Sequence, residues 1–558
     1  MPQKPIFTRY PLLSVPHAFL SNGQIRSSDD RVRRLYRTAS AFAEQPRLWE
    51  GLFSLACLTT NEPAGEPVAE RIRDALRDTN SGAFEGSAAD QVCIARAALA
   101  LFEYTADRAI LKRLADWCRY YEVTWETQTE GSPILFQPAD LMELLVRFYR
   151  ASGIKSVLRL CARLRSEAFD WTTALNTFQQ HIPLAPAEGF DPETVFTRKP
   201  AEMDYDQRQL LINHAESLAD GFRYALYCGL FSGNGQDLAA CRTAWDYLKK
   251  HHRAVCGGTT SGPLLSGCGS DKPVSNLAAA AWTEAFAAQL YTEDSTWAAD
   301  ELIRIIFNSL SDCLEKEIPA ACQYVNTVRS EDAQPSPAVL ARICRAASAA
   351  CRHAVSLTQD GFNINYLLPG KYALMYRKQP VILQTDRDRA SMLCGEPFAA
   401  TIRFYHPPTE TAELSLNRGG RQIPVPERAE SGSEGYFIRF REEWSDRDGF
   451  TLAQGQRLYT EETHHHGVCF FTRSTLLCAE ADADSYAWAA CGETRAEDGS
   501  FYAVVKKVPK WTLRDGVPED IPVYPSVRGA SSEIQLKPYH ETGKRISMFP
   551  RTDQACLK

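Results

Sequence analysis

The first two thirds of the chain place apolar residues at helical intervals. Between Leu218 and Leu230, the positions Leu218, Phe222, Ala225, Leu226 and Leu230 share one helical face, and Val339, Ile343, Ala346, Ala347 and Ala350 repeat the spacing. The apolar helices end in short polar turns at Thr105-Ala106-Asp107, Ser152-Gly153, Ser232-Gly233-Asn234 and Thr292-Glu293-Asp294. An aromatic residue (Tyr104, Tyr149, Phe231, Tyr291) stands shortly before each turn, and a second helix such as LAACRTAWDYLKK follows. Repeated helical hairpins predict a solenoid or a closed α/α toroid. The uneven spacing of the turns favours a toroid of paired helices with long loops at one end.

Beyond about residue 355 the period falls to two. Ala400, Ile402 and Phe404 alternate with Thr401, Arg403 and Tyr405, while Tyr436, Ile438 and Phe440 alternate with Phe437, Arg439 and Arg441. Turn-rich stretches such as RGGRQIPVPERAESGSEG separate these runs, the pattern of an antiparallel sheet with one buried face. The expected fold is therefore α+β and multidomain: an α/α toroid over residues 1–360, an antiparallel β-sandwich over 361–510, and a C-terminal extension over 511–558 packing on the sandwich.

Composition narrows the partners. Of 558 residues, 44% are apolar and 23% charged, as in an ordinary water-exposed protein of more than one domain. The net charge of −7, from 62 basic and 69 acidic residues, gives no cationic face for nucleic acid. The opening MPQKPIFTRYPLLSVPHAFL lacks the apolar core of an export signal, and no apolar run is long enough to span a bilayer. The expected location is cytoplasmic, away from any membrane. The 17 cysteines are scattered without a CxxC pair, which reads as reduced, buried thiols.

Several strings resemble one family in order along the chain. HAESLADGFRYALYCGLFSGNGQDLAACRTAWDYL, from His214, is similar to the helix pair that puts a histidine into the pocket of glycoside hydrolase family 127, the β-L-arabinofuranosidase type. Gly257-Gly258 matches that family's Gly-Gly turn, and AAQLYTEDSTWAADELIRIIFNSL its next helical hairpin, ending near Asn308. QYVNTV (323–328), GYFIRFREEW from Gly435, LLCAE ending at Glu480, and Pro538-Tyr539 resemble its later signatures. The resemblance implies a helical toroid with a sandwich, acting on small arabinofuranoside-type glycosides. It also implies a zinc ion held by a glutamate and three cysteines. One of those cysteines is the nucleophile, and a second glutamate is the acid/base. Zinc would depress the thiol pKa so that a thiolate attacks the anomeric carbon.

This chain departs at each of those positions. The zinc-binding Glu-x-Cys falls on Asn276-Leu277-Ala278, the adjacent cysteine pair near Pro335-Ser336, and the early acid and histidine around Ser87, Asp90 and Cys93. The Gly-Gly loop holds no glutamate, only Asp271. A site that loses every ligand loses the metal, so the reading carries neither zinc nor any other cofactor.

The remaining candidates each have a chemical and a structural reading. Asp140 falls where the family has a glutamate and Asp271 lies in the loop GCGSDKPVSN; together they are the candidate catalytic carboxylates, or else helix-start and loop acids. An inverting hydrolase needs two such groups roughly 6.5–9.5 Å apart. His214, Asn276, Tyr324 and Asn326 are the candidate sugar contacts, against readings as a helix-start histidine or ordinary packing. Glu284, two turns beyond Asn276, can share its helix face or lie in solvent. Cys256, Cys268 and Cys344 with one of His464, His465 or His466 would make a different zinc site, though nothing in their spacing favours it. The function expected is hydrolysis of a small oligosaccharide or glycoside by rewired, metal-free chemistry. The alternatives are a non-catalytic sugar-binding protein and a purely structural or interaction role. A second copy of the chain, in a homodimer, is the other partner considered.

Overall fold

In the computed structural model, the described residues are 25–27, 29–59, 66–77, 82–180, 184, 199–268, 272–290, 296–315, 322–324, 336–358, 360–406, 414–425, 435–452, 458–463, 467–472, 474–480, 486–497, 500–509, 531–542 and 545–549. A helical part is followed by antiparallel sheets. Six long helices organise the first part: α1 (Pro46–Thr59), α2 (Ala88–Thr105), α3 (Ala139–Ser152), α4 (Ala215–Ser232), α5 (Asn276–Gln289) and α6 (Pro337–His353). Each packs on the next, and α6 packs back on α1, so the six close a ring. Their side chains are buried nearly all round, as α4 shows from Ala215 to Phe231 with a single break at Glu216. A helix apolar on every side must be covered on every side. Helices such as Arg108–Val123, Ser156–Glu167, Gly235–His251 and Thr296–Ile305 supply the outer cover.

The turns read from the sequence are the joints between ring and cover. α2, α3 and α4 stop at Ala106, Gly153 and Gly233, whose φ angles of 57°, 69° and 77° put each in the left-handed conformation that terminates a helix. The fourth expected turn, Thr292-Glu293-Asp294, lies outside the described residues. Helix starts are capped by side chains: Ser87 and Asp90 form a reciprocal box on α2, His214 caps α4, Ser275 caps α5, and Ser336 caps α6 just ahead of Pro337.

The strands form three main sheets. A seven-stranded sheet, including Gly370–Tyr376, Gln379–Thr385 and Arg389–Cys394, takes Ile25–Ser27 as an edge strand. A four-stranded sheet centred on Phe398–His406 faces it, with Phe450 against Phe404 at 5.5 Å and Trp444 at 5.5 Å between ring centres. The third sheet joins Leu458–Glu462, Val468–Thr472 and Thr475–Glu480 to Ser500–Pro509 and Ser532–Pro538. It therefore draws strands from both sides of residue 510.

The third sheet rests on the helical part. Cys469, Phe471 and Cys478 pack with Ala254, Cys256 and Val274, and the Asn308 side-chain amide bonds Ser474 O at 2.9 Å and accepts from Leu476 N at 2.7 Å. Among the described residues, no helix is long and apolar enough to cross a membrane.

The loop entering α5 is fixed by its Gly-Gly pair. Gly257 has φ +98°, and a Cβ there would stand 2.7 Å from the backbone nitrogen of Ile305. Backbone strain and backbone collision coincide, with no flexible side chain to yield. Gly257→Ala is expected to cost at least about 2 kcal/mol in urea unfolding, while Gly395→Ala, with nothing within 4 Å, should stay within about 1 kcal/mol.

Candidate functional site

The axis of the ring holds charge. Five arginines meet six carboxylates there: Arg96, Arg147, Arg223, Arg342 and Arg345 with Glu50, Glu103, Asp140, Glu143, Asp220 and Glu284. Every ring helix contributes. Arg96 of α2 reaches Glu50 of α1 at 2.7 Å and Glu143 of α3 at 3.3 Å. Arg147 of α3 returns to Glu103 of α2 at 2.7 Å and to Glu50 at 3.3 Å. Arg223 of α4 pairs with Asp140, with Glu143 at 3.1 Å and with Glu284 of α5 at 3.4 Å. From α6, Arg342 binds Asp220 and reaches Glu284 at 2.8 Å; Arg345 reaches Glu284 at 2.9 Å and Asp140 at 3.1 Å. Contacts advance together on α2 and α3, from Arg96–Glu143 to Glu103–Arg147, and on α3 and α4, from Gln137–Ser217 to Glu143–Arg223, so these three helices run the same way and their N-terminal ends share one end of the ring.

Asp140 stands at that end, in the first turn of α3. Its side chain keeps 29% of its exposure, against 12% or less for Glu50, Glu103, Glu143, Asp220 and Glu284. Burial works to raise its pKa, but Arg345, Arg96, Arg223 and Arg342 hold the carboxyl well below the usual range. Asp140 is a fixed negative charge that water reaches. Glu216, at the matching position of α4, is half-buried. Burial, helped by Asp220 and Glu284, pushes its carboxyl up to about 7 despite Arg342 and Arg345.

His214 sits directly before α4, buried to 5%. Its Nδ1 accepts from Ser217 N at 3.3 Å and lies 2.7 Å from Ser217 Oγ, which Gln137 contacts from the start of α3 at 2.9 Å. That bond assigns the proton to Nε2. Burial, opposed by Asp220, lowers the imidazole to about 4, so it is neutral. His214 thus performs the helix-start role weighed for it, at the N-terminal end of α4 where the axial acids open.

Asn276 opens α5, 1% exposed, and its Oδ1 accepts from Gln323 Nε2 at 2.7 Å. Gln323 also donates to Ser309 O at 3.1 Å. Tyr324 ends the short strand Cys322–Tyr324, opposite Pro273. Asp271 and Asn326 lie outside the described residues. Glu284 does not lie in solvent; it is a hub of the axial network. Ser87 and Asp90 cap α2, and the nearby Cys93 thiol is pushed up to about 11 by burial and Asp140.

The sequence matches no family profile and no curated protein. The fold does have counterparts. A glycoside hydrolase superposes with TM-score 0.70 at 13% identity, over 98% of this chain and 99% of that one. A family 127 β-L-arabinofuranosidase from Geobacillus stearothermophilus T6 gives TM-score 0.65 at 14% identity, over 94% of each chain. The fold is that of family 127 glycoside hydrolases. A further family 127 β-arabinofuranosidase gives 0.63 at 11% identity, over 98% and 99%.

The zinc centre implied by the family 127 resemblance does not fit the residues present. Its Glu-x-Cys positions hold an amide already satisfied by Gln323 and the buried methyl of Ala278. The alternative cysteines are not brought together. Cys344 is in the ring core against Gly51, and Cys256 is in a separate cluster with Cys469 and Phe471. Burial raises the thiol pKa of both, and holds that of Cys268 at about 12. His464, His465 and His466 lie outside the described residues. Among the described residues, no three histidine, cysteine or acidic side chains cluster as metal ligands.

Sequence reasoning passed over Glu216 and all five arginines. A signal was present: Glu216, Asp220 and Arg223 recur at intervals of four and three in an otherwise apolar helix, as do Arg342 and Arg345 in VLARICRAA. Charges on one stripe of a buried helix must be matched by charges elsewhere.

Removing one arginine would leave paired acids uncompensated in a dry interior. Arg223→Met is expected to cost about 3–5 kcal/mol in denaturant unfolding. The native state keeps Asp140 and Glu50 ionised below their ordinary range. The unfolded chain therefore takes up more protons in acid, and stability should fall as pH drops below about 4. Arg223→Met should flatten that acid slope.

Proposed function

We propose that this chain is a glycoside hydrolase that takes small oligosaccharides of the arabinofuranoside type at the mouth of an α/α toroid, without the zinc-thiolate chemistry of family 127. The observation that carries the reading is the water-accessible Asp140 at the N-terminal end of α3, in a ring whose axis is otherwise closed by ion pairs. The match of fold over nearly the whole chain to glycoside hydrolases supports the hydrolase reading. Asp140 supplies a permanent charge beside which a cationic, oxocarbenium-like transition state is stabilised. Asp271 is the second carboxylate that the sequence offers for the pair. Asn276, Tyr324 and Asn326 would line the approach with hydroxyl-bonding and stacking groups, and His214 would hold the start of α4 in place.

A non-catalytic sugar-binding role is the second reading. It draws on Asn276, which puts a neutral amide bonded to Gln323 where the resemblance places a zinc-binding glutamate.

The deciding measurement pairs metal content by mass spectrometry with a screen of nitrophenyl glycosides, with and without chelator. The expected result is arabinofuranoside hydrolysis that survives chelation in protein free of stoichiometric zinc. Asp140→Asn should reduce it by about 100-fold or more. Zinc-dependent, chelator-sensitive activity would overturn the metal-free reading. Sugar binding without turnover would leave the second reading in its place.

A further inference from the structure

Glu216 differs from every other acid on the axis. Glu50, Glu103, Asp140, Glu143, Asp220 and Glu284 each pair with at least one arginine. Glu216 has neither hydrogen bond nor ion pair to any described residue, although Arg342 and Arg345 are among its electrostatic neighbours. The charged groups that face it come from three ring helices: Asp220 on its own, Glu284 on α5, and Arg342 and Arg345 on α6. It lies one turn before Asp220 and two turns before Arg223 on α4, on the stripe that carries the axial network. It is the second residue of α4, as Asp140 is the second residue of the neighbouring α3, so the two stand at the same end of the ring. Both are part-exposed, while Glu50, Glu103, Asp220 and Glu284 are buried.

We propose that Glu216 is the proton-transferring carboxyl of this site, acting beside the fixed charge of Asp140. The inference rests on the hydrolase reading above and adds a residue that neither the resemblance nor the sequence pattern assigned. An acid tied to arginine cannot give up a proton it does not hold. An acid left unpaired in a low-dielectric mouth can hold one at neutral pH, and burial brings Glu216 to about 7. Two carboxyls of one site driven in opposite directions is the arrangement that separates a proton donor from a charge stabiliser.

The step balances without another reactant. The glycosidic C–O bond breaks and its electron pair leaves on the departing oxygen, which takes the proton from Glu216. The ring carbon, left electron-poor, is stabilised by the Asp140 carboxylate. Water adds to that carbon and returns its proton to the Glu216 carboxylate, which restores the starting state. The products are the free sugar and the departing alcohol.

The test uses leaving groups that differ in their need for a proton. Wild-type protein and Glu216→Gln are assayed on methyl and para-nitrophenyl β-L-arabinofuranosides. A nitrophenolate leaves unaided, whereas methoxide does not. The expected result is a loss of about 100-fold or more on the methyl glycoside, and under about 10-fold on the nitrophenyl glycoside. The fall of kcat above about pH 7 should disappear with it. Equal loss on both substrates, or loss on neither, overturns the role of Glu216 while the hydrolase reading stands. A wild-type protein inactive on both overturns the hydrolase reading and this role together. If Glu216→Gln does not fold, infrared spectroscopy of an Asp300→Asn protein decides, since burial also raises the Asp300 carboxyl, to about 6. A protonated-carboxyl stretch present at pH 6 and lost at pH 8 supports the assignment, and its absence at pH 6 sinks it.

Discussion

The helical part is organised around charges withdrawn from water. A guanidinium or carboxylate moved off solvent costs several kcal/mol unless matched, and here the matching is done across helices. Arg96 spans α1, α2 and α3; Arg223 spans α3, α4 and α5; Arg345 of α6 reaches back to α3 and α5. A helix that slid by one turn would strand its charge against apolar neighbours. The network thus fixes the depth of each ring helix relative to the others, a kind of register that apolar packing alone specifies weakly. It also explains why the ring needs no bulky plug: paired side chains fill the axis.

Much of the architecture was readable because it rests on local rules. Left-handed stops at Ala106, Gly153 and Gly233, and the period-two run from Ala400 to Phe404, declare themselves within a few residues. Asp140 was found because it falls where the resembled family has a glutamate, at a helix start that is itself a local signal. The axial network was not readable, because its partners are remote in sequence: Glu50 with Arg147, Asp220 with Arg342. Glu284 illustrates the difficulty, since an acid on an alanine-rich helix reads as solvated until the facing arginines are known. Sheet membership is not local either. Nothing near Ser532–Pro538 announces that it will pair with Thr475–Glu480 and Ser500–Pro509.

The contact between Asn276 and Gln323 shows how a site changes character. A metal ligand must offer a lone pair to the ion, but the Asn276 amide oxygen accepts from Gln323 Nε2, which also donates to Ser309 O. The entrance of α5 becomes neutral and self-contained. The charge available at this end of the ring is then that of the axial acids, so any chemistry is displaced from the α5 loop toward α3 and α4.

The edge strand Ile25–Ser27 has a consequence for how the molecule is assembled. It pairs with Gly370–Tyr376, so the two parts of the chain are laced together. During synthesis the strand emerges long before its partner, and the whole helical ring is translated in between. Until Tyr372 has left the ribosome, Ile25 has no backbone to join. Nascent chains must therefore carry that open edge through the period when the ring is forming, a long-range closure that comes late in folding.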